Sequence, residues 1–408
     1  MKYHLLLTTL ALTTLTGLSG CASDANDGAR DPSSEGEITA QELTSIDQSA
    51  APGDDAESDA DDPSVVSNDD DGANETNLPR IEAAADGTET EDVPGEDADD
   101  APASAALPIE EPSPSSVLLS DQIAATPYIG ITEQHGDRIM VFPAGEFTWT
   151  NRTPSWSWGP NNAKTGTGKN AKLQIPKNLW GKFGNPSDIK FKKNGTLLLA
   201  ASGGAVAIVR TKDRKLTFVA YPGGNPHAIE TLPGKQIVTA SSKGYLCVFS
   251  TAKSTDKTCE KTNFPLAHGL VWDGARKRLW VLGGTQLGSY SLNGSKLVLD
   301  KAYKVPGNGH DLSPDGPDTL LFSSTHNVYS FNRTTHTYRV LPNISPRNYV
   351  KGVDRHPVTK ELLIARDHDL KDKVYGDDHV DHATPAGAHD TYVRKGAQIY
   401  KARWWVGR

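Results

Sequence analysis

Cysteine is scarce in this chain of 408 residues, with only Cys21, Cys247 and Cys259. No Cys-x-x-Cys pair is present, nor a His-Glu-x-x-His signature, a Gly-x-Ser-x-Gly elbow or a phosphate-cradling glycine loop. Those chemistries therefore have no support. Long apolar runs are missing too. The one near the start, residues 5–18, has 14 residues, whereas a helical bilayer span needs about 20. No apolar stripe of 3.6-residue period runs through the second part of the chain, which argues against a helical domain. Aromatic residues are absent from Ala22 to Glu111, where 28 Asp and Glu face only Arg30 and Arg80. Such a composition cannot bury enough apolar surface to offset its ordering entropy, so residues 21–115 are expected to form a disordered acidic tether.

The start carries a short basic segment, "MKYH", then the apolar run, then "LSGC". This suits a cleaved signal peptide over residues 1–20. "LSGC" resembles the bacterial lipobox, which implies a lipidated Cys21 and acyl chains holding the protein to the membrane. Ala22 after the cysteine resembles the default pattern of Gram-negative lipoproteins, so the expected location is the bacterial outer membrane or cell surface. The tether carries 2 − 28 = −26 and the signal peptide +1, against −9 for the whole chain, so residues 112–408 hold 39 Lys and Arg against 23 Asp and Glu, a net +16. A basic domain on an acidic stalk points to anionic partners, an acidic glycan or an envelope polymer. Nucleic acid is not expected, because the compartment is extracytoplasmic and the charges are scattered. The domain is expected to be a monomer. Cys247 and Cys259 flank one hairpin, and an oxidising compartment would allow a cross-strand disulfide.

Residues 116–408 repeat with a period near 41. "NPSDIKF", "NPHAIETL", "LAHGLVW", "NGHDLSP" and "VKGVDRH" place Ser187, His227, His268, His310 and Lys351 in one slot, at steps of 40, 41, 42 and 41 residues. Each unit reads as four short strands rich in Val, Ile, Leu, Thr and aromatics, with Gly, Asn, Pro and Lys at the turns. Four strands per 40-odd residues is a propeller blade. A sixth, less regular unit opens with "YIGITEQ", "RIMVFPA" and "SWSWGP", followed by a polar insertion. The fold expected is an all-β, six-bladed propeller, or seven blades if residues 145–180 hide another. The last unit ends with "AQIYKARWW", and "SVLLS" at 116–120 is a candidate strand to close the ring. "NPSDIKFKKNGTLLLAAS" and "NPHAIETLPGKQIVTASS" resemble the blade openings of six-bladed propellers of the NHL and SMP-30-like superfamily. The domain as a whole resembles an uncharacterised family of secreted bacterial propellers. The fold follows from that resemblance; the function does not, because this fold hosts lyases, lactonases, sensors and scaffolds alike.

The first strand of each blade lines the channel, so the repeated slot should form a ring around the axis. Ser187, His227, His268, His310 and Lys351 would line an axial ligand pocket, with Asp188 and Asp311 beside them. Ala228, Gly269 and Gly352 are small neighbours that would leave the channel open. Three imidazoles with nearby carboxylates suit a divalent metal held by His227, His268 and His310. Without metal, the ring suits an anion, and Lys351 would lower the histidine pKa values and supply a neutral base. His227, His268, His310 and Lys351 are then the catalytic candidates of a metal-assisted lyase or hydrolase. The bland alternative is a set of histidine ties between strands, copied by duplication, in a protein-interaction scaffold. From Asp367 to Gly396 runs a stretch of about 30 residues that reads as a loop over the ring. His368, His379, His382 and His389 make it a candidate lid. Trp272, Trp280 and at least one of Trp404 and Trp405 read as core. Trp156 and Trp158 alternate onto one strand face, a core pattern more than a sugar platform.

Overall fold

The computed structural model describes residues 37–43, 46, 127–160, 175–341, 344, 349–367 and 376–406. Signal peptide, Cys21, the "SVLLS" segment, the polar insertion at 161–172 and His368 lie outside them. Six sheets follow one another around an axis as the blades of a β-propeller. The inner strands of blades 2 to 6 are Pro186–Lys192, Pro226–Leu232, Ala267–Asp273, Asp311–Asp315 and Val350–Arg355. Turns to the second strands use Gly195 (φ 74°) and Gly234 (φ 76°), in the left-handed region where glycine has no Cβ penalty. Apolar side chains collect in six clusters, each shared by two adjacent blades. The core therefore lies between blade faces, so middle strands are covered on both sides and read as nearly continuous apolar runs, as in Thr196–Ala201, whose Leu197 and Leu199 face one core and Leu198 and Ala200 the next.

The ring closes differently from the sequence expectation. Ile399–Trp405 is the inner strand of blade 1 and pairs with Tyr128–Glu133, with Ile399 opposite Glu133 and Trp405 opposite Tyr128. Arg138–Pro143 and Trp156–Trp158 complete that sheet. Blade 6 needs no added strand, because His379–Ala383 and His389–Val393 are its two outer strands. The stretch read as a lid is thus largely a hairpin. His379 and His389 sit on blade strands, and His382 is buried against Tyr392 and Trp404 rings. Strand alternation with histidine and aspartate on the outward side reads as polar loop in the sequence, which is why the hairpin was not legible.

Blade 4 departs from four local strands. Its second and third segments run as one strand, Arg278–Asn293, paired on one side with Ala267–Asp273 and on the other with Lys296–Gly309. The outer position is filled from the acidic N-terminal stretch: Gln41–Leu43 pairs antiparallel with residues 302–304, while Ile38–Thr39 pairs with the outer strand Thr337–Val340 of blade 5. Ala40 is buried between them, its N–H donates to the His336 carbonyl, and Lys301 pairs with Glu42 at 3.0 Å. Ile46 packs on the core between blades 3 and 4. The tether was expected to lack structure from 21 to 115; residues 37–43 and 46 instead strap two blades together. Cys247 and Cys259 form a disulfide with Cα atoms 5.4 Å apart, inside the ordinary range.

Candidate functional site: three tiers along the axis

The repeated slot is a β-bulge. Pairing of the inner with the second strand skips it between Pro186 and Asp188, Pro226 and Ala228, Ala267 and Gly269, and Val350 and Gly352. Two residues earlier the chain is left-handed at Asn185, Asn225, Leu266 and Tyr349. Asparagine tolerates that conformation; leucine and tyrosine adopt it under strain, which the surrounding turn must hold. A bulge leaves its residue outside the ladder and re-aims the side chain, here toward the axis. Blade 1 follows the same rule: the skip between Ile399 and Ala402 puts Tyr400 in the sixth slot, 49 residues after Lys351. The longer step, caused by the 379–393 hairpin, hid Tyr400 from a period of 41.

The first tier is therefore Ser187, His227, His268, His310, Lys351 and Tyr400, every one buried. His227 stacks on His268 with centroids 4.3 Å apart, and His268 meets His310 edge-on at 5.2 Å. The Tyr400 hydroxyl lies 3.1 Å from His227 Nδ1. His268 Nδ1 lies 2.7 Å from the Leu266 carbonyl and must be the donor there, which leaves Nε2 unprotonated in the neutral ring. Ser187 donates to the Pro226 carbonyl of the next blade. His310 Nδ1 is buried with no hydrogen-bond partner. Burial is the chief cause holding His227 and His310 well below the ordinary histidine value. His268, Lys401 and Lys351 add to it at His227, and Lys351 leads the charges at His310.

The second tier, one residue on, is Asp188, Ala228, Gly269, Asp311, Gly352 and Lys401. Here Arg403 forks onto Asp311 with two contacts of 2.7 Å and reaches Asp188 at 3.1 Å. Lys401 lies 3.0 Å from Asp311 and donates to the His227 carbonyl. The aspartates also accept backbone N–H groups of the following blade, Ile229 and Val353. Burial opposes ionisation of Asp311, but Arg403 and Lys401 outweigh it and hold the carboxyl well below its usual range. Asp188 and Asp311, expected as ligand contacts, are thus committed to two buried cations. The small residues do not open the channel either. A Cβ on Gly269 would meet the Leu312 backbone nitrogen at 2.9 Å, and one on Gly352 would meet Lys401 at 3.1 Å. Glycine is used for close packing, and the axis is plugged at its middle.

The third tier is Lys190, Glu230, Val271, Ser313, Asp354 and Arg403, each three residues beyond its first-tier residue in the chain. It floors a cavity of about 510 Å³ at the opposite mouth from the histidines. Around it stand Lys192, Lys193, Arg355 and Lys360, with Trp272 half-buried in the wall. Besides Arg403, which is held by Asp188 and Asp311, five cations meet three carboxylates, Glu230, Asp315 and Asp354. Lys190 and Lys192 both pair with Glu230, whose carboxyl burial would raise but the two lysines hold down at about 2. Arg355 pairs with Asp315 at 3.1 Å. Asp354 is pushed up to about 6, chiefly by burial, although it accepts the Trp404 N–H at 2.8 Å. No single stretch of sequence marked this cavity, because its cations come from three separate segments, residues 190–193, 355–360 and 403.

The ring nitrogens of His227, His268 and His310 do not converge. Among the described residues, only Asp377, Asp378 and His379 bring three metal-ligating atoms within 4.8 Å of one another. The stacked imidazoles turn faces to each other, two Nδ1 atoms are engaged, and Lys351 and Lys401 crowd the ring with positive charge. The ring does not fit the expected divalent metal.

The chain belongs to the DUF6528 family, described as a family of unknown function, whose model matches residues 131–408. No curated protein matches the sequence. Among solved structures it is similar to a protein of unknown function from Bacteroides caccae, at 12% identity and TM-score 0.47 over 69% of this chain and 99% of that one. It is also similar to the hydrazine synthase of Kuenenia stuttgartiensis, at 14% identity and TM-score 0.37 over 51% of this chain and 65% of that one.

Proposed function

We propose that this protein is an envelope-anchored, extracytoplasmic propeller that binds an anionic ligand in its axial cavity. The observation that carries the reading is the cavity itself: a concave site of about 510 Å³, within the size range of small-ligand pockets, with cations in excess on a domain of net +16. The location differs from the histidine ring that the repeat suggests, because that tier is buried and its neighbours are spent on interblade contacts. Anchoring rests on "LSGC" and lipidation of Cys21. With Ile38 strapped to blade 5, the leash from Cys21 is 17 residues, about 60 Å fully extended, which keeps the basic domain close to the envelope surface. The lyase or hydrolase alternative would need a substrate to reach His227, which is 1% exposed, so the binding reading is better supported. A pure scaffold would leave the cationic cavity without a purpose.

The test is calorimetric titration of the full chain with anionic polymers, beside a Lys193→Glu/Lys360→Glu variant. These two exposed residues sit on the rim, so the exchange should leave the fold intact. Binding that weakens at least tenfold in the variant, and falls with salt, is expected. Binding equal in both proteins would overturn the reading.

A further inference from the structure

We infer that the cavity takes an acidic sugar, a hydroxylated ring carrying a carboxylate, and not a bare inorganic anion; this rests on the anionic reading of the same site. Three features of the lining carry it. First, the space of about 510 Å³ equals about seventeen waters' share of liquid volume, several times what an inorganic oxyanion occupies. Second, Glu230, Asp315 and Asp354 stand among the cations. A plain anion would be repelled by them, whereas vicinal hydroxyls can donate to carboxylates while a separate acidic group meets the rim lysines.

Third, the wall holds polar atoms with nothing to bond. Ser313 Oγ, His356 Nε2 and Trp404 Nε1 are each buried without a hydrogen-bond partner. His356 Nδ1 accepts the N–H groups of Val358 and Thr359, at 3.3 and 3.0 Å, so the neutral ring carries its proton on Nε2 as a donor. Buried polar groups are seldom left unpaired, because each orphan costs much of its desolvation free energy. Ser313 belongs to the tier that floors the cavity, and the hydroxyl oxygens of a sugar are acceptors of the right kind. Trp272 offers an aromatic face on which the apolar C–H side of a sugar ring can lie.

Titrating the full chain with uronic-acid oligosaccharides, their neutral carboxyl-reduced counterparts, and polyphosphate of equal charge separates the possibilities. Uronate oligomers are expected to bind at least tenfold tighter than the other two. Ser313→Ala should weaken uronate binding about tenfold, a hydrogen bond's worth, and leave any polyphosphate binding unchanged. Polyphosphate binding as tightly as uronate would overturn the sugar inference while leaving the anionic reading intact. So would a Ser313→Ala variant that binds uronates normally. Neutral sugars binding as well as uronates, or no probe binding at all, would overturn both.

Discussion

Acidification should destabilise this protein well before its carboxylates lose their partners, and the two first-tier histidines set the size of the effect. His227 and His310 are held neutral in the fold by burial, with Lys351, Lys401 and each other's neighbours adding to it. In the unfolded chain each titrates near the ordinary value of about 6.5. The folded pKa is depressed for a base, so the unfolded state binds more protons as pH falls, and stability drops below about pH 6.5. A histidine that stays neutral in the fold down to pH 5 forfeits about 2 kcal/mol between pH 7 and pH 5, and two forfeit about 4 kcal/mol. Asp354 opposes this: its carboxyl sits at about 6 in the fold, so protonation there favours the folded state and returns about 1 kcal/mol over the same interval. Asp311 does not titrate in this window, because its folded and unfolded values both lie below it. His356 and His382 are also depressed, chiefly by burial, and act in the same direction as the ring. The net loss is about 3 kcal/mol, a large share of the 5–15 kcal/mol typical of a folded domain. It corresponds to a midpoint lowered by about 6–10 °C. Thermal melts followed by near-ultraviolet circular dichroism at pH 7, 6 and 5 measure it. His310→Gln, with no titratable imidazole, should show about half the ring's pH dependence whatever its own stability. A midpoint that holds or rises down to pH 5 would refute the reasoning, since it would mean the imidazoles already carry protons in the fold.

Arg403→Met removes one partner from the buried second-tier cluster and leaves Asp188 and Asp311 facing Lys401 alone. Breaking such a group costs about 3–5 kcal/mol, and chemical denaturation should show a lower midpoint with an unchanged slope. A chain beginning at residue 116 lacks the strands at Ile38–Thr39 and Gln41–Leu43 and the packing of Ala40 and Ile46. It should be less stable than the full chain by about 2 kcal/mol on the burial of those two side chains alone, and hydrogen exchange should quicken at residues 302–304 and 337–338. Equal stability and equal exchange would mean that the strap does not hold in solution.

The propeller was legible because a blade is a local unit: strand, turn and strand recur every 41 residues, and each turn carries its own glycine or asparagine signal. The slot occupied by Ser187, His227, His268, His310 and Lys351 was legible for the same reason, and in every blade but the fifth its inward aim follows from a bulge in the inner strand. What the slot residues do was not. Whether an imidazole is a ligand or an interblade contact depends on what lies across the axis, and there stand Tyr400, Lys401 and Arg403. The strand that carries them joins a sheet whose other members begin at residue 128, so no local pattern announces the pairing. Gln41–Leu43 is similar: three residues in an acidic stretch become a strand only because the long Arg278–Asn293 strand of blade 4 leaves an outer position open. The outer hairpin of blade 6 hid behind its own polarity, since an outermost strand has one face in water and its histidines and aspartates look like a loop. The sequence alone determined the acidic and basic halves, the blade period and five of the six first-tier residues, all of which are local in the chain. Tertiary structure alone decided which mouth of the channel is open. The same three tiers are plugged where opposite charges meet across the axis and hollow where the strand ends splay, and both depend on side chains brought together from six separate blades.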